Sequence, residues 1–168
     1  LILSSVEHPS ARGAMEQLKL LGFDITYLPA DQNGRVKVDD VKASIQKDTI
    51  LVSVMQVNNE VGTIQPIAEI GKLLKQYPTI LFHVDAVQGV GKVPLNLIEN
   101  GVDLCSFSAH KFHGLKGTGG LFIREGVRLD PLHSGGNQEW KLRSGTENVA
   151  GAVAMAKALR MTMVNSEL

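Results

Sequence analysis

Short apolar runs alternate along this chain with stretches in which apolar residues return every three or four positions. The runs at 1–6, 24–28, 50–55, 80–84, 104–107 and 120–123 have strand length and read as strands. Helical stripes lie between them. Ala11, Met15, Leu18 and Leu21 share one face of a helix that Ser10 can cap and Gly22 stops. Val38, Val41 and Ile45 mark a short amphipathic helix after an Asn33-Gly34 turn. Pro66 suits a first helical turn, followed by the stripe Ile67, Ile70, Leu73 and Leu74. Residues 147–164 read as a long helix with Val149, Val153, Ala156 and Leu159 inward, and the glycine-rich stretches at 114–120 and 135–136 read as loops. Strand and helix signals taking turns predict an α/β fold with helices layered on a mostly parallel sheet.

Composition narrows the class without naming it. The chain has 168 residues, enough for one domain with a sizeable core. Lys+Arg and Asp+Glu number 17 each, so no net field recruits nucleic acid or an anionic membrane. No apolar run reaches membrane-spanning length, and no charged-then-apolar signal segment opens the sequence. A single cysteine excludes an internal disulfide framework. A cytoplasmic protein is the simplest reading. The first residue is not methionine and falls inside an apolar run, so the expectation is a fragment, either a proteolytic product or a piece of a longer protein.

Candidate chemistry gathers where apolar runs end. Asp85 follows the run 80–84, and Ser108, His110 and Lys111 follow the run 104–107. Ligands of open α/β sheets collect at the carboxyl ends of strands. Pyridoxal phosphate chemistry requires a lysine amine for a Schiff base and a carboxylate that keeps the pyridine nitrogen protonated. Both residue types stand on neighbouring strand candidates. Each also has a plainer reading: Lys111 as a solvated charge, Asp85 as a helix cap, His8 before Pro9 as a loop residue, and Asn58-Asn59 as a turn.

Four motifs carry a resemblance that none carries alone. Val57-Asn58-Asn59-Glu60-Val61-Gly62, His83-Val84-Asp85-Ala86-Val87-Gln88, Ser106-Phe107-Ser108-Ala109-His110-Lys111 and Arg143-Ser144-Gly145-Thr146 occur in this order. Together they resemble the NifS/IscS-type cysteine desulfurases, in the class V aminotransferase group of fold-type I pyridoxal phosphate enzymes. The likeness runs from Glu7-His8-Pro9 to the last helix. It implies a three-layer α/β sandwich with a mostly parallel mixed sheet. Residues 1–168 would be the central part of the cofactor-binding large domain, with an N-terminal segment and a C-terminal small domain absent.

The same resemblance implies roles residue by residue. Lys111 forms the Schiff base, which a desolvated, low-pKa amine favours. Asp85 faces the pyridine nitrogen, and Asn59 and Gln88 address the ring hydroxyl. His8 stacks on the ring and exchanges protons with substrate. Ser108 and His110 donate to the phosphate, and Thr146 reaches the phosphate of a partner subunit's cofactor in a homodimer. Arg143 serves either a substrate carboxylate or its own loop. The implied reaction converts L-cysteine to L-alanine and an enzyme persulfide, delivered to a sulfur-acceptor or scaffold protein for iron–sulfur clusters or tRNA thiolation. Selenocysteine lyase, another class V activity, or a non-catalytic fold or dimerisation fragment are the alternatives.

Other chemistries fit less well. His110 and His113 have helical spacing, but no cysteine or carboxylate cluster completes a metal site. Lys116 precedes Gly117-Thr118, the reverse of a phosphate-binding loop that ends in Lys-Ser/Thr. Cys105 lies within a strand run, where a free cysteine behaves as a small inert hydrophobe. The resemblance places the sulfur-accepting cysteine downstream of Leu168, so the chain by itself is expected to be inactive. Ala109 in place of a common glycine and Leu115 in place of a proline are small departures from the pattern.

Overall fold

Every apolar run predicted as a strand forms one, within two residues of its predicted ends. The computed structural model describes residues 1–165. Its strands are β1 (Ile2–Ser4), β2 (Thr26–Leu28), β3 (Leu51–Met55), β4 (Leu81–Asp85), β5 (Leu104–Ser108) and β6 (Gly119–Ile123). They form one sheet in the order β2-β1-β3-β4-β5-β6. The first five run parallel and β6 pairs antiparallel with β5, the mostly parallel mixed sheet expected from the sequence. The helices are α1 (Pro9–Leu20), α2 (Val38–Ser44), α3 (Ile67–Leu74) and α4 (Val149–Asn165).

Side chains alternate across a strand, so each strand offers two faces. Ile2, Leu28, Val52, Val54, Phe82, Val84 and Cys105 join the main core, packed with Val41 of α2 and Ile67, Ile70, Leu73 and Leu74 of α3. Burying each large aliphatic side chain contributes about 1.5–3 kcal/mol. Gly71 lets α3 close on the loop before β5, because a Cβ there would meet the Asn100 carbonyl oxygen at 1.8 Å. The residues alternating with this set are more polar: Ser53, His83, Asp85 and Ser106. One face of the sheet is therefore structural, and the other carries polar groups.

Three local readings change. Helix α1 begins at Pro9 with His8 as its cap, and Ser10 sits inside the first turn. Proline at the first helical position lacks an N–H and has its φ preset, which moves the cap one residue upstream of it. Gly119 belongs to β6 rather than a loop, so the strand starts one residue before the expected Gly120, with the two paired to Ser108 and Phe107. A Cβ on Gly119 would meet the Phe107 carbonyl oxygen at 2.6 Å, so glycine is what lets the strand begin there. In α4, Val149 and Val153 are 67% and 64% exposed, and Ala156 is exposed too. Of the expected set only Leu159 turns inward, joined by Gly151, Ala154, Met155, Ala158 and Thr162. Apolar residues on several sides of this helix leave periodicity unable to choose a face. Among the described residues no helix is long and apolar enough to cross a membrane.

Candidate active site

The parallel strands β1, β3, β4 and β5 all end at one edge of the sheet. From β1 the chain crosses to β2 on one side, and from β3 to β4 on the other. Such a reversal opens a crevice beyond the carboxyl ends of the strands. His8 follows β1, Asn59 follows β3, Asp85 ends β4 with Gln88 in the next turn, and Ser108 ends β5. His110 and Lys111 stand in the 3-10 turn Ala109–Phe112 that follows. These seven residues line one cavity of about 230 Å³, together with Ser10, Met55 and Val87.

Local structure explains why each group faces the cavity. Asp85 is buried, and its Oδ1 accepts from the Val87 N–H at 2.9 Å. Its Oδ2 has no hydrogen-bond partner among the described residues. Gly89 admits the Gln56 side chain, whose Oε1 lies 1.9 Å from where a Cβ would stand, and this fixes the turn that carries Gln88. The two asparagines divide their labour. Asn58 is the turn residue: its Oδ1 accepts from the Glu60 and Val61 N–H groups and its Nδ2 donates to the Val6 carbonyl. Asn59 is left exposed at the cavity.

The lysine turn is anchored from below. Ala109 and Phe112 are buried, which leaves His110 and Lys111 exposed between them. Lys111 therefore stands in the open, and the desolvated amine expected from the sequence is not what the described residues provide. The Gly114 N–H bonds the Ala109 carbonyl at 2.8 Å and closes the turn. His8 uses Nδ1 to accept from the Ser10 N–H at 3.2 Å, with Ser10 Oγ 2.8 Å away. Accepting there requires a lone pair on Nδ1, so the neutral ring carries its proton on Nε2, the nitrogen left for chemistry.

Beneath the cavity lies a polar layer that sequence reading passed over. His83, two residues before Asp85, bridges Ser53 of β3 (Nδ1 to Oγ, 2.8 Å) and Ser106 of β5 (Nε2 to Oγ, 3.1 Å). Burial pushes the His83 pKa down, and the Asp85 charge pulls it the other way. Glu7 is buried as well, and burial pushes its carboxyl up to about 7. The signal for His83 was a polar residue inside an apolar run, two positions before Asp85 and so on the same face of β4. Two other sequence candidates stand elsewhere. Thr146 is exposed in the loop before α4 and does not line this cavity, and Arg143 is exposed, bonding the Ser144 carbonyl at 3.2 Å. Cys105 is buried in β5, where burial raises its thiol to about 12.

The arrangement suits pyridoxal phosphate. Asp85 has one oxygen held by backbone and one spare for a ring N–H. An accessible lysine stands on the facing loop, and Ser108 and His110 supply anion donors beside it.

The profile of the family described as Aminotransferase class-V matches residues 1–167. The chain belongs to the aminotransferase class-V family. Within it, most of the similar curated relatives bear the desulfurase name. The cysteine desulfurase IscS of Dictyoglomus turgidum is 52% identical over 167 residues, which make up 99% of this chain and 42% of that protein. A solved structure titled NifS-like protein superposes with a TM-score of 0.94 at 45% identity, covering 99% of this chain and 46% of the other. Another, titled SspA in complex with cysteine, has a TM-score of 0.92 at 37% identity, covering 95% and 46%. The chain thus spans less than half the length of these relatives.

Proposed function

We propose that this chain is the cofactor-binding core of a cytoplasmic, pyridoxal phosphate-dependent cysteine desulfurase. The reaction would take L-cysteine and an enzyme thiol to L-alanine and an enzyme persulfide. The observation that carries this reading is the convergence of His8, Asn59, Asp85, Gln88, Ser108, His110 and Lys111 on one cavity at the carboxyl edge of the sheet. The desulfurase names of the relatives and the cysteine in one structure's title support the substrate class.

Pyridoxal phosphate, when bound, supplies the electron sink that weakens bonds at the substrate's α-carbon. The protein supplies position and protons. Lys111 holds the cofactor through its amine and later takes a proton. Asp85 holds the ring-nitrogen proton, Asn59 and Gln88 orient the ring hydroxyl, and Ser108 and His110 donate to the phosphate. His8 covers one side of the cavity and passes a proton through Nε2. Cys105 is too buried and too weakly acidic to accept sulfur, so the persulfide thiol is a different one. The exposed apolar residues of α4 fit a homodimer in which Thr146 completes a partner's site, with a separate acceptor or scaffold protein receiving the sulfur.

The test is the full-length protein loaded with cofactor and given L-cysteine and a reductant. Alanine and sulfide should appear in equal amounts and persist in Cys105→Ala. Absence of bound cofactor, or cofactor bound without release of alanine, contradicts the reading.

A further inference from the structure

The peptide groups at the end of β3 raise a question of partners. Successive N–H groups of a strand point to opposite sides. The Gln56 N–H turns toward β4, where it bonds the Asp85 carbonyl at 2.8 Å. The Met55 N–H must then turn toward β1. But β1 ends at Ser4, and its pairing with β3 stops at Leu3 and Ser53. No strand is left to accept from Met55. The acceptor is a side chain: Glu7 Oε1, at 2.6 Å.

That bond is one of three holding the segment between β1 and α1. The Ser5 N–H bonds the Leu28 carbonyl at 3.0 Å, the Val6 carbonyl accepts from Asn58 Nδ2 at 2.9 Å, and Glu7 grips Met55. The next residue is His8, exposed at the cavity that Met55 and Asp85 also line. We infer that Glu7 is a positioning residue: its buried carboxyl clamps the β1–α1 loop to the tip of β3 and so sets where His8 stands relative to Asp85. The inference rests on the cofactor reading above for what His8 then does.

The clamp works through an acceptor oxygen rather than a charge. Burial pushes the carboxyl up to about 7, against the Met55 N–H and a nearby Ser4 hydroxyl that falls short of a full hydrogen bond, and the Asp85 charge on β4 adds to the rise. Glu7 Oε2 and Ser4 Oγ are both buried without partners. A proton on Oε2 makes that oxygen a donor, which the Ser4 hydroxyl, itself both donor and acceptor, can accept. Glutamine should therefore replace Glu7 with little loss, and a side chain of equal length without an acceptor should not.

The experiment compares Glu7→Gln and Glu7→Met in the full-length protein, each with and without His8→Ala, by pyridoxal phosphate affinity and by crystal structures without cofactor. Glu7→Gln should bind within about twofold of the parent, Glu7→Met should weaken binding about as much as His8→Ala, and the double change should add nothing further. In the cofactor-free structures His8 should shift in Glu7→Met and stay in place in Glu7→Gln. If Glu7→Met fails to fold, Glu7→Asp, too short to reach the Met55 N–H, takes its place. An unmoved His8, or independent additive losses, overturns the clamp. A parent protein that binds no pyridoxal phosphate overturns the cofactor reading instead, and the position of His8 still decides the role of Glu7.

Discussion

Between Leu51 and Ser108 the apolar residues of β3, β4 and β5 that face α3 are almost wholly buried, with Val52, Val54, Phe82 and Val84 at 0% exposure. Between Leu132 and Val164 the reverse holds: Leu132 and Trp140 are 95% and 91% exposed, and Val149, Val153 and Val164 lie open on α4. The two regions have similar apolar content and opposite fates. In the first, each strand is covered by its neighbours and by α3, so local pattern and burial agree. In the second, a single helix touches the rest through small residues such as Gly151, Ala154 and Ala158. The first region supplies Asn59, Asp85, Gln88 and Ser108 of the site, and its core fixes the strand tips beside which His8, His110 and Lys111 stand. Arg143 and Thr146, the candidates from the second, stand apart.

If that division is right, chemistry and stability should separate on substitution. Lys111→Ala should have the largest effect, abolishing turnover and the reducible cofactor adduct. Thermal melting should move by no more than about 2 °C, because an exposed side chain adds little to stability. Steady-state assay and calorimetry on the same preparation check both halves. Asp85→Asn should follow, since the amide keeps an acceptor for the Val87 N–H but loses the charge. Turnover should fall by about 100-fold or more, on the scale of deleting one preorganised electrostatic contact. A variant with full turnover would falsify the ring-nitrogen role.

On the structural side, Ile70→Ala should cost about 2–5 kcal/mol in urea unfolding, as buried aliphatic truncations do. The Glu7 carboxyl gives the next effect. Its folded pKa of about 7 exceeds the ordinary glutamate value of 4.5, so the folded state binds the extra proton between those values. Stability should therefore fall as pH rises from about 4.5 to 7 and level off above, by about 1–3 kcal/mol, and Glu7→Gln should flatten that slope. Denaturant titrations at several pH values read it directly. Val153→Ala should be smallest, within about 0.5 kcal/mol for the chain alone. A loss as large as that of Ile70→Ala would mean that α4 is buried after all.

The legible parts of this sequence were those where local pattern and tertiary burial coincide. Asp85 and Ser108 were found because apolar runs end on them, and the order of strands and helices followed from alternating periods. His8, Asn59 and Gln88 needed the resemblance as well, since a loop histidine or a pair of asparagines carries no address. Glu7 escaped notice because its role depends on where β1 stops relative to β3, a register the sequence does not display. His83 escaped because its two partners lie on different strands, Ser53 and Ser106. The inward face of α4 was misread for the opposite reason: its apolar residues are plain in the sequence, but nothing local says which of them the fold will cover.

The central claim is that Lys111 and Asp85 flank one cofactor cavity. Borohydride reduction of the pyridoxal phosphate-loaded, full-length protein, followed by proteolysis and mass mapping, tests it most directly. The cofactor mass should appear on the peptide that contains Lys111, in near-stoichiometric amount, and vanish from that peptide in Lys111→Ala without moving elsewhere. Labelling spread over several surface lysines, or centred on another such as Lys116 or Lys157, would contradict it.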